Sequence, residues 1–307
     1  MSAGWVAVSV RARAMTRRRL GQPAVLQLAS SPSVEAAVSA LAQTTYGRQV
    51  RPGLTLAEAQ RAVVDALVWN ARVLAGWSPR EGVTILRCLV APLEVVNVQD
   101  HLQRLAGVDA PAAFGLGGLA TAWPRLRATT DTREVRAVLA ASAWGDPGGE
   151  DPRDIGLSMR VSLADRVIAA VPSAGTWAAG ATALLVAREV VLEDRRLPQR
   201  TQAAASRVIG PSAASATSLP ALFAALPSSA RWALAGVEHP RDLWLAEARW
   251  WARVEVDSAA LARRATAGPE VLVGAVGLMA VDAWRVRAAL EVAARGGGPV
   301  EAFRAVA

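Results

Sequence analysis

Residues 82–102 read GVTILRCLVAPLEVVNVQDHL, and this stretch decides the fold class. Its second half is apolar at helical spacing, yet it contains an acid, Glu94, and three positions later an amide, Asn97. Burying a lone carboxylate is costly, so an acid in an apolar helix indicates a specific local bonding task. The same frame, an acid followed by residues at three and eight positions, occurs three times: Glu94, Asn97 and Leu102; Glu189, Leu192 and Leu197; Asp282, Arg285 and Leu290.

An aromatic residue precedes each of the three acids by a similar distance. The pairs are Tyr46 and Glu94, 48 residues apart, Trp144 and Glu189, 45 apart, and Trp232 and Asp282, 50 apart. A repeat of this period is typical of arrays of similar supersecondary units. We therefore predict an all-α chain built from three similar helical units, at residues 1–107, 108–206 and 207–307.

Helix-capping signals occur at matching places in the first two units. Ser33 and Asp131 are predicted N-cap residues, and each lies 13 residues before an aromatic residue, Tyr46 or Trp144, that is followed by glycine. Thr55 begins a capping box with a glutamate three positions later. Tyr46 and Trp144 are therefore predicted to anchor the first helix of their units.

Proline and glycine predict where the helices are interrupted. Pro92 is expected to kink or restart the helix that carries Glu94. Residues 110–118 and 207–217 are rich in Gly, Ala, Ser and Pro and are predicted to be linkers. The first residues, 5–10, alternate like a strand but fit the start of a helix equally well.

The composition is that of a chain with a large core and a basic surface. Apolar residues make up 52% of the 307, and all 34 basic residues are arginine, with a net charge of +8. This charge permits a nucleic acid, an acidic protein or an anionic membrane surface as partner. The single cysteine, Cys88, is interpreted as a core residue in a reducing cytoplasm. The longest apolar run, 271–281, is shorter than the roughly 20 residues of a membrane span.

Residues that would carry catalysis or bind a metal do not occur at useful spacing. His101 and His239 lack cysteine or carboxylate neighbours at metal-ligand spacing, and no phosphate-binding glycine motif follows a strand. We therefore expect no metal, no cofactor and no enzymatic activity. An alternative is a surface on which bases stack, formed by Trp244, Trp250 and Trp251. Helix packing is the commoner role for tryptophans at this spacing.

In their order and spacing, these segments resemble the C subunit of the bacterial and archaeal V/A-type rotary ATPases, which is related to the d subunit of the eukaryotic vacuolar ATPase. Four segments carry the resemblance: residues 5–14, WVAVSVRARA; residues 26–50, with the TTYG ending; residues 94–99, EVVNVQ; and the tail from Asp282 to Ala307. In the third segment, Glu94 and Gln99 stand where the family signature has Asp and Lys. The second unit lacks an Asn at Leu192.

The resemblance implies a funnel-shaped protein of three pseudo-symmetric helical domains with no active site. It implies a place on the cytoplasmic end of the membrane proteolipid ring, where the protein receives the tip of the central shaft, which the D and F subunits form. Association with the membrane would be indirect, through the ring. The implied task is to transmit torque between ring and shaft during ATP synthesis or ATP-driven ion transport.

The resemblance also suggests roles for individual residues. Independently of it, Glu94, Glu189 and Asp282 are expected to bond neighbouring helix ends or an arginine within each unit, and Asn97 is assigned to the same structural motif. Four arginines that flank the best-matched segments are predicted to contact a partner: Arg11, Arg13, Arg285 and Arg287. The alternative function is an Arg-rich helical-repeat scaffold that binds nucleic acid or protein.

Overall fold

The computed structural model describes residues 2–297, and its regular secondary structure is helical. Helices account for 72% of the chain, and the described residues contain no strand, which confirms the all-α prediction. Residues 298–307, the last part of the tail included in the family resemblance, lie outside the described residues.

In chain order, the first seven helices are α1 (Ala3–Thr16), α2 (Gly21–Ala29), α3 (Val34–Ala42), α4 (Leu56–Trp77), α5 (Arg80–Leu105), α6 (Trp123–Leu126) and α7 (Thr132–Ala140). The next eight are α8 (Pro152–Ala170), α9 (Gly175–Ala187), α10 (Gln199–Ile209), α11 (Pro211–Ala214), α12 (Leu219–Ala225), α13 (Ser228–Arg231), α14 (Leu243–Ala262) and α15 (Pro269–Ala294). Three of them, α6, α11 and α13, are single turns of four residues.

The chain divides into two compact units. Unit 1 comprises Met1–Val83 with Trp251–Ala307, and unit 2 comprises Thr84–Trp250. The boundaries fall inside α5 and α14, and α15 belongs to the same unit as α1 to α4. The pseudo-threefold arrangement of three units remains a prediction.

Unit 1 is organised around α15, which packs against α1, α2, α3 and α4. The run Val271–Met279 is buried at every position, as expected of a helix surrounded on all sides by other helices. Gly274 allows an unusually close approach, because a Cβ there would lie 2.5 Å from the backbone oxygen of Ser258 in α14. No side chain fits at that distance, so the contact between these two helices depends on glycine.

Unit 2 has a hydrophobic core where α5 meets α6, α7 and α8. The core residues include Val95, Val98 and Leu102 on α5, Leu139 on α7 and Ile155 on α8, all fully or nearly fully buried. Elsewhere in the unit, α9 packs against α8, α10 and α13.

The structure bears on three sequence-based expectations about the connections. The helix α5 continues through Pro92 and does not restart there, and Ala91 and Val95 on either side are buried. Residues 110–116 are non-helical, as expected of a linker, with Phe114 buried. Residues 207–217 are not a linker, because α10 and α11 occupy most of them and meet at Gly210, whose φ of +88° lets the chain turn. The start of the chain, left open between strand and helix, is the helix α1.

One stretch of the described chain, Pro172–Leu192, is long and apolar enough to cross a membrane. More than half of it, 56%, is buried inside the fold. An internal packing helix passes the same test of length and hydropathy, so the stretch is weak support for a membrane span.

Candidate functional site

Asp282 lies in α15, is 4% exposed and holds the beginning of α2. Its Oδ1 accepts the backbone N–H of Gly21 at 3.0 Å, and its Oδ2 accepts the N–H of Leu20 at 3.2 Å and the hydroxyl of Tyr46 at 2.8 Å. The free N–H groups and the dipole at a helix N-terminus both favour a negative charge. We call residues 20–46 together with Asp282 the first module.

Glu94 in α5 is fully buried, and it holds the beginning of α6 as Asp282 holds the beginning of α2. Its carboxylate accepts the N–H groups of Thr121 at 2.6 Å, Ala122 at 2.5 Å and Trp123 at 2.8 Å. The indole N–H of Trp144 donates to the same carboxylate at 3.4 Å. We call residues 121–144 together with Glu94 the second module.

Within the first module, hydroxyl groups mark both ends of α3. The Ser33 hydroxyl accepts the N–H of Ala36 at 3.2 Å and caps the helix. At the other end, the Thr44 hydroxyl donates to the carbonyl of Leu41 at 2.6 Å and accepts the N–H of Tyr46 at 3.2 Å. This turn places the Tyr46 ring next to the α15 carboxylate.

The second module has the same bonds at the same spacing around α7. The Asp131 carboxylate accepts the N–H of Glu134 at 2.8 Å. The Ser142 hydroxyl donates to the carbonyl of Leu139 at 2.7 Å and accepts the N–H of Trp144 at 3.1 Å. Two segments of different sequence therefore place an aromatic donor against a buried carboxylate by the same local route.

The proton on Tyr46 is held firmly. Burial raises the pKa of the Tyr46 hydroxyl well above its usual value, and the neighbouring Asp282 carboxylate raises this pKa further. Tyr46 therefore stays neutral and donates its hydrogen bond over the whole physiological range.

The residue three positions after each acid differs between the modules. Asn97 is fully buried and bonds Phe114 twice, donating to its carbonyl at 3.0 Å and accepting its N–H at 2.6 Å. Arg285 instead forms a two-pronged ion pair with Glu255, at 2.6 and 2.7 Å. Asn97 thereby fixes the packed segment after α5, and Arg285 ties α15 to α14.

Glu189, the third acid of the frame, has a different partner. It lies in a π-helical segment, Arg188–Leu192, directly after α9, and its carboxylate accepts two hydrogen bonds from the guanidinium of Arg153. Leu192, three positions later, is 46% exposed. Glu189 bonds an arginine of α8, and the described structure gives it no helix N-terminus to cap.

The four arginines predicted to contact a partner differ in exposure. Arg11 is exposed and stacks on Trp77, with its guanidinium carbon 4.8 Å from the ring centre. Arg13 is half-buried and donates to the backbone of Arg264. Arg285 is 8% exposed and engaged with Glu255, so its guanidinium is occupied within unit 1.

Arg287, the fourth, lies on the exposed face of α15.

A groove of about 740 Å³ lies in unit 1 between α1 and α4, with α15 at its base. Three arginines line it, Arg11, Arg18 and Arg19, together with two tryptophans, Trp69 and Trp77. We call this feature the basic groove. Of its lining residues, the sequence predictions included Arg11 as a partner contact and Tyr46 and Asp282 as structural residues. Arg18 and Arg19 were not predicted, although the run of three arginines at 17–19 is a sequence signal that could have identified them.

In the part of the chain from 2 to 297, no group of three or more His, Cys, Asp or Glu side chains could hold a metal ion. The indole of Trp250 donates to the carbonyl of Trp177 at 2.9 Å, and Trp251 stacks on Trp284 with ring centres 5.5 Å apart. Both tryptophans are thus engaged in packing, while Trp244 is 55% exposed.

No protein-family model matches this sequence, and no curated protein matches it.

Proposed function

We propose that this protein is a non-catalytic subunit of a V/A-type rotary ATPase or ATP synthase. In this role it couples the central shaft, formed by the D and F subunits, to the proteolipid ring of the membrane sector. It would lie peripherally on the cytoplasmic face of the cell membrane, held there through the ring.

The observation that supports the proposal most is the recurrence of one bonding pattern in two modules. Tyr46, Glu94 and Asp282 lie in three of the segments that resemble the rotary-ATPase family, and all three take part in this pattern. A resemblance that rests on order and spacing gains support when the matched residues share a structural task.

The physical character of the modules also suits a mechanical part. Each joins three elements through a buried carboxylate with at least three donors, and such charge-assisted bonds are stronger than neutral ones. A coupling that transmits torque must resist bending between its helices, and saturated buried polar networks are rigid.

A tagged copy of the full chain, isolated from detergent-solubilised membranes of its own host, tests the proposal. We expect quantitative mass spectrometry to recover the proteolipid, D and F subunits together, with the same yield after nuclease treatment. A bait carrying only the tag is the control.

The alternative, an Arg-rich scaffold, gives a different result in that experiment. Recovery of nucleic acid, or of unrelated soluble proteins, without ring or shaft subunits would contradict the rotary proposal and support the scaffold. Loss of those partners on nuclease treatment would identify nucleic acid as the ligand, and their retention would identify protein.

A further inference from the structure

The basic groove is shaped like a trough along one face of α1. Five α1 residues line it, at positions that repeat every three or four residues: Ala7, Val10, Arg11, Ala14 and Met15. Arg18 lines it from the turn that follows α1. On α1 this face extends from Ala7 to Met15, which at the rise of an α-helix is about 12 Å, or roughly two turns. On the other side, α4 contributes Leu67 among others, so the floor and walls are largely apolar.

Apolar side chains on the wall of the groove are open to solvent. Val10 is 61% exposed and Trp77 is 50% exposed. Val6, one turn before Val10 on the same helix, is 45% exposed. A contiguous apolar surface with a polar rim is typical of a site that another chain covers.

The groove carries an excess of positive charge. None of Arg11, Arg18 and Arg19 forms a salt bridge with a described residue. The single lining carboxylate, Asp282, already accepts three hydrogen bonds from the first module. A complementary ligand must therefore combine an apolar stripe with negative charge.

We propose that the basic groove binds an acidic amphipathic helix of a neighbouring protein subunit. Its apolar stripe would lie along Ala14, Met15 and Leu67, and its acidic residues would pair with Arg11 and Arg18. Arg11 lies on α1 and Arg18 in the turn that follows it, so the bound helix would carry one acid near the middle of α1 and a second beyond its C-terminal end.

The groove suits such a helix better than it suits nucleic acid. Guanidinium groups already cover the two tryptophan rings, Arg11 on Trp77 at 4.8 Å and Arg48 on Trp69 at 4.2 Å. A base would therefore have to compete with a guanidinium for one face of each ring. The inference rests on the proposed function, because it takes the partner to be another subunit of the same complex.

A synthetic helical peptide tests the groove with the purified full-length chain. The probe is a fluorescein-labelled peptide of about 14 residues, roughly four helical turns, with leucines on one face and glutamates on the flanks. Its matched control has lysine at every glutamate position. We expect fluorescence anisotropy to show binding of the acidic peptide at least about tenfold tighter than the basic one, with weakening as salt increases.

Two variants of the chain test the location. The double variant Arg11→Glu/Arg18→Glu is expected to lose about tenfold or more in affinity, whereas Arg51→Glu/Arg263→Glu, which changes net charge equally at exposed sites outside the groove, should stay within about twofold. Ala14→Trp fills the trough without changing charge and should abolish binding. Ala40→Trp, at an exposed position on α3, is its control.

Several outcomes would overturn the proposal. These are equal binding of both peptides, acidic-peptide binding that survives Ala14→Trp, or tighter, Arg11- and Arg18-dependent binding of a single-stranded oligonucleotide. Because this experiment uses the purified chain and a synthetic probe, it can fail while the membrane isolation still recovers the ring and shaft subunits.

Discussion

The first and second modules form the same hydrogen-bond pattern with different side chains. In the first, an aspartate accepts two backbone N–H groups and a tyrosine hydroxyl; in the second, a glutamate accepts three N–H groups and a tryptophan N–H. The aromatic contact is short in the first, 2.8 Å, and long in the second, 3.4 Å. The capped helix N-terminus is thus the shared requirement, and the balance between backbone and aromatic donors varies.

The largest expected effect comes from neutralising the acids. Glu94→Gln places an amide NH₂ among three inward-pointing N–H donors and is expected to lower the free energy of unfolding by about 3 kcal/mol. Asp282→Asn, with two backbone donors to disturb, should cost about 2 kcal/mol. Urea unfolding followed by circular dichroism measures both. If Asp282→Asn proved the more damaging, the ranking by backbone donors would be wrong.

For the aromatic partners, the hydrogen bond lost in the first module is expected to cost more than the one lost in the second. Tyr46→Phe removes a 2.8 Å hydrogen bond to a buried carboxylate and should cost about 1.5 kcal/mol. Trp144→Phe loses a weaker N–H contact, so its cost should come mainly from the smaller ring. Differential scanning calorimetry measures both variants. Double-mutant cycles, which pair Tyr46→Phe with Asp282→Asn and Trp144→Phe with Glu94→Gln, separate the hydrogen-bond contribution from the ring-packing contribution.

The raised pKa of Tyr46 gives this comparison a pH test. A group with a raised folded-state pKa contributes its stability below its unfolded pKa, here about 10, and loses it as pH rises above that value. The chain has one tyrosine, so tyrosinate absorbance reports Tyr46 alone. We expect ionisation near pH 10 in urea and well above it in the folded protein; coincident curves would contradict the buried contact with Asp282.

The turn hydroxyls should have smaller and similar effects. Thr44→Val and Ser142→Ala each remove one hydroxyl that bridges a helix carbonyl and the N–H of the aromatic residue. Each is expected to lower the unfolding free energy by about 1 kcal/mol. Chemical denaturation of both variants under one set of conditions checks the equality, and a difference of more than about 1 kcal/mol would mean that the turns are not equivalent.

The smallest effect is expected at Glu189, the third acid of the repeat, which bonds an arginine instead of a helix N-terminus. Arg153, which bonds Glu189, has a side chain that is 30% exposed, and water can replace part of the ion pair. Arg153→Gln should therefore cost about 0.5 kcal/mol, as partly solvated pairs do. Thermal unfolding measures it, with Arg207→Gln, which breaks the more exposed pair to Asp165, as the control. A loss as large as that of Asp282→Asn would show that Glu189 is equivalent to the other two acids.

Sequence alone determined the helical class, the caps at Ser33, Thr55 and Asp131, and the acids and aromatic residues that stand out from their surroundings. These features depend on side chains within one or two helical turns of each other, and such local preferences can be read from spacing.

Only the tertiary structure decided which helix each acid caps. Asp282 bonds backbone groups more than 260 residues earlier in the chain, whereas Glu94 bonds groups fewer than 30 residues later. The passage of α5 through Pro92 and the walls of the basic groove likewise depend on packing between distant segments. Spacing along the chain carries no signal for such contacts, because burial and long-range geometry, which outweigh local preference, determine them.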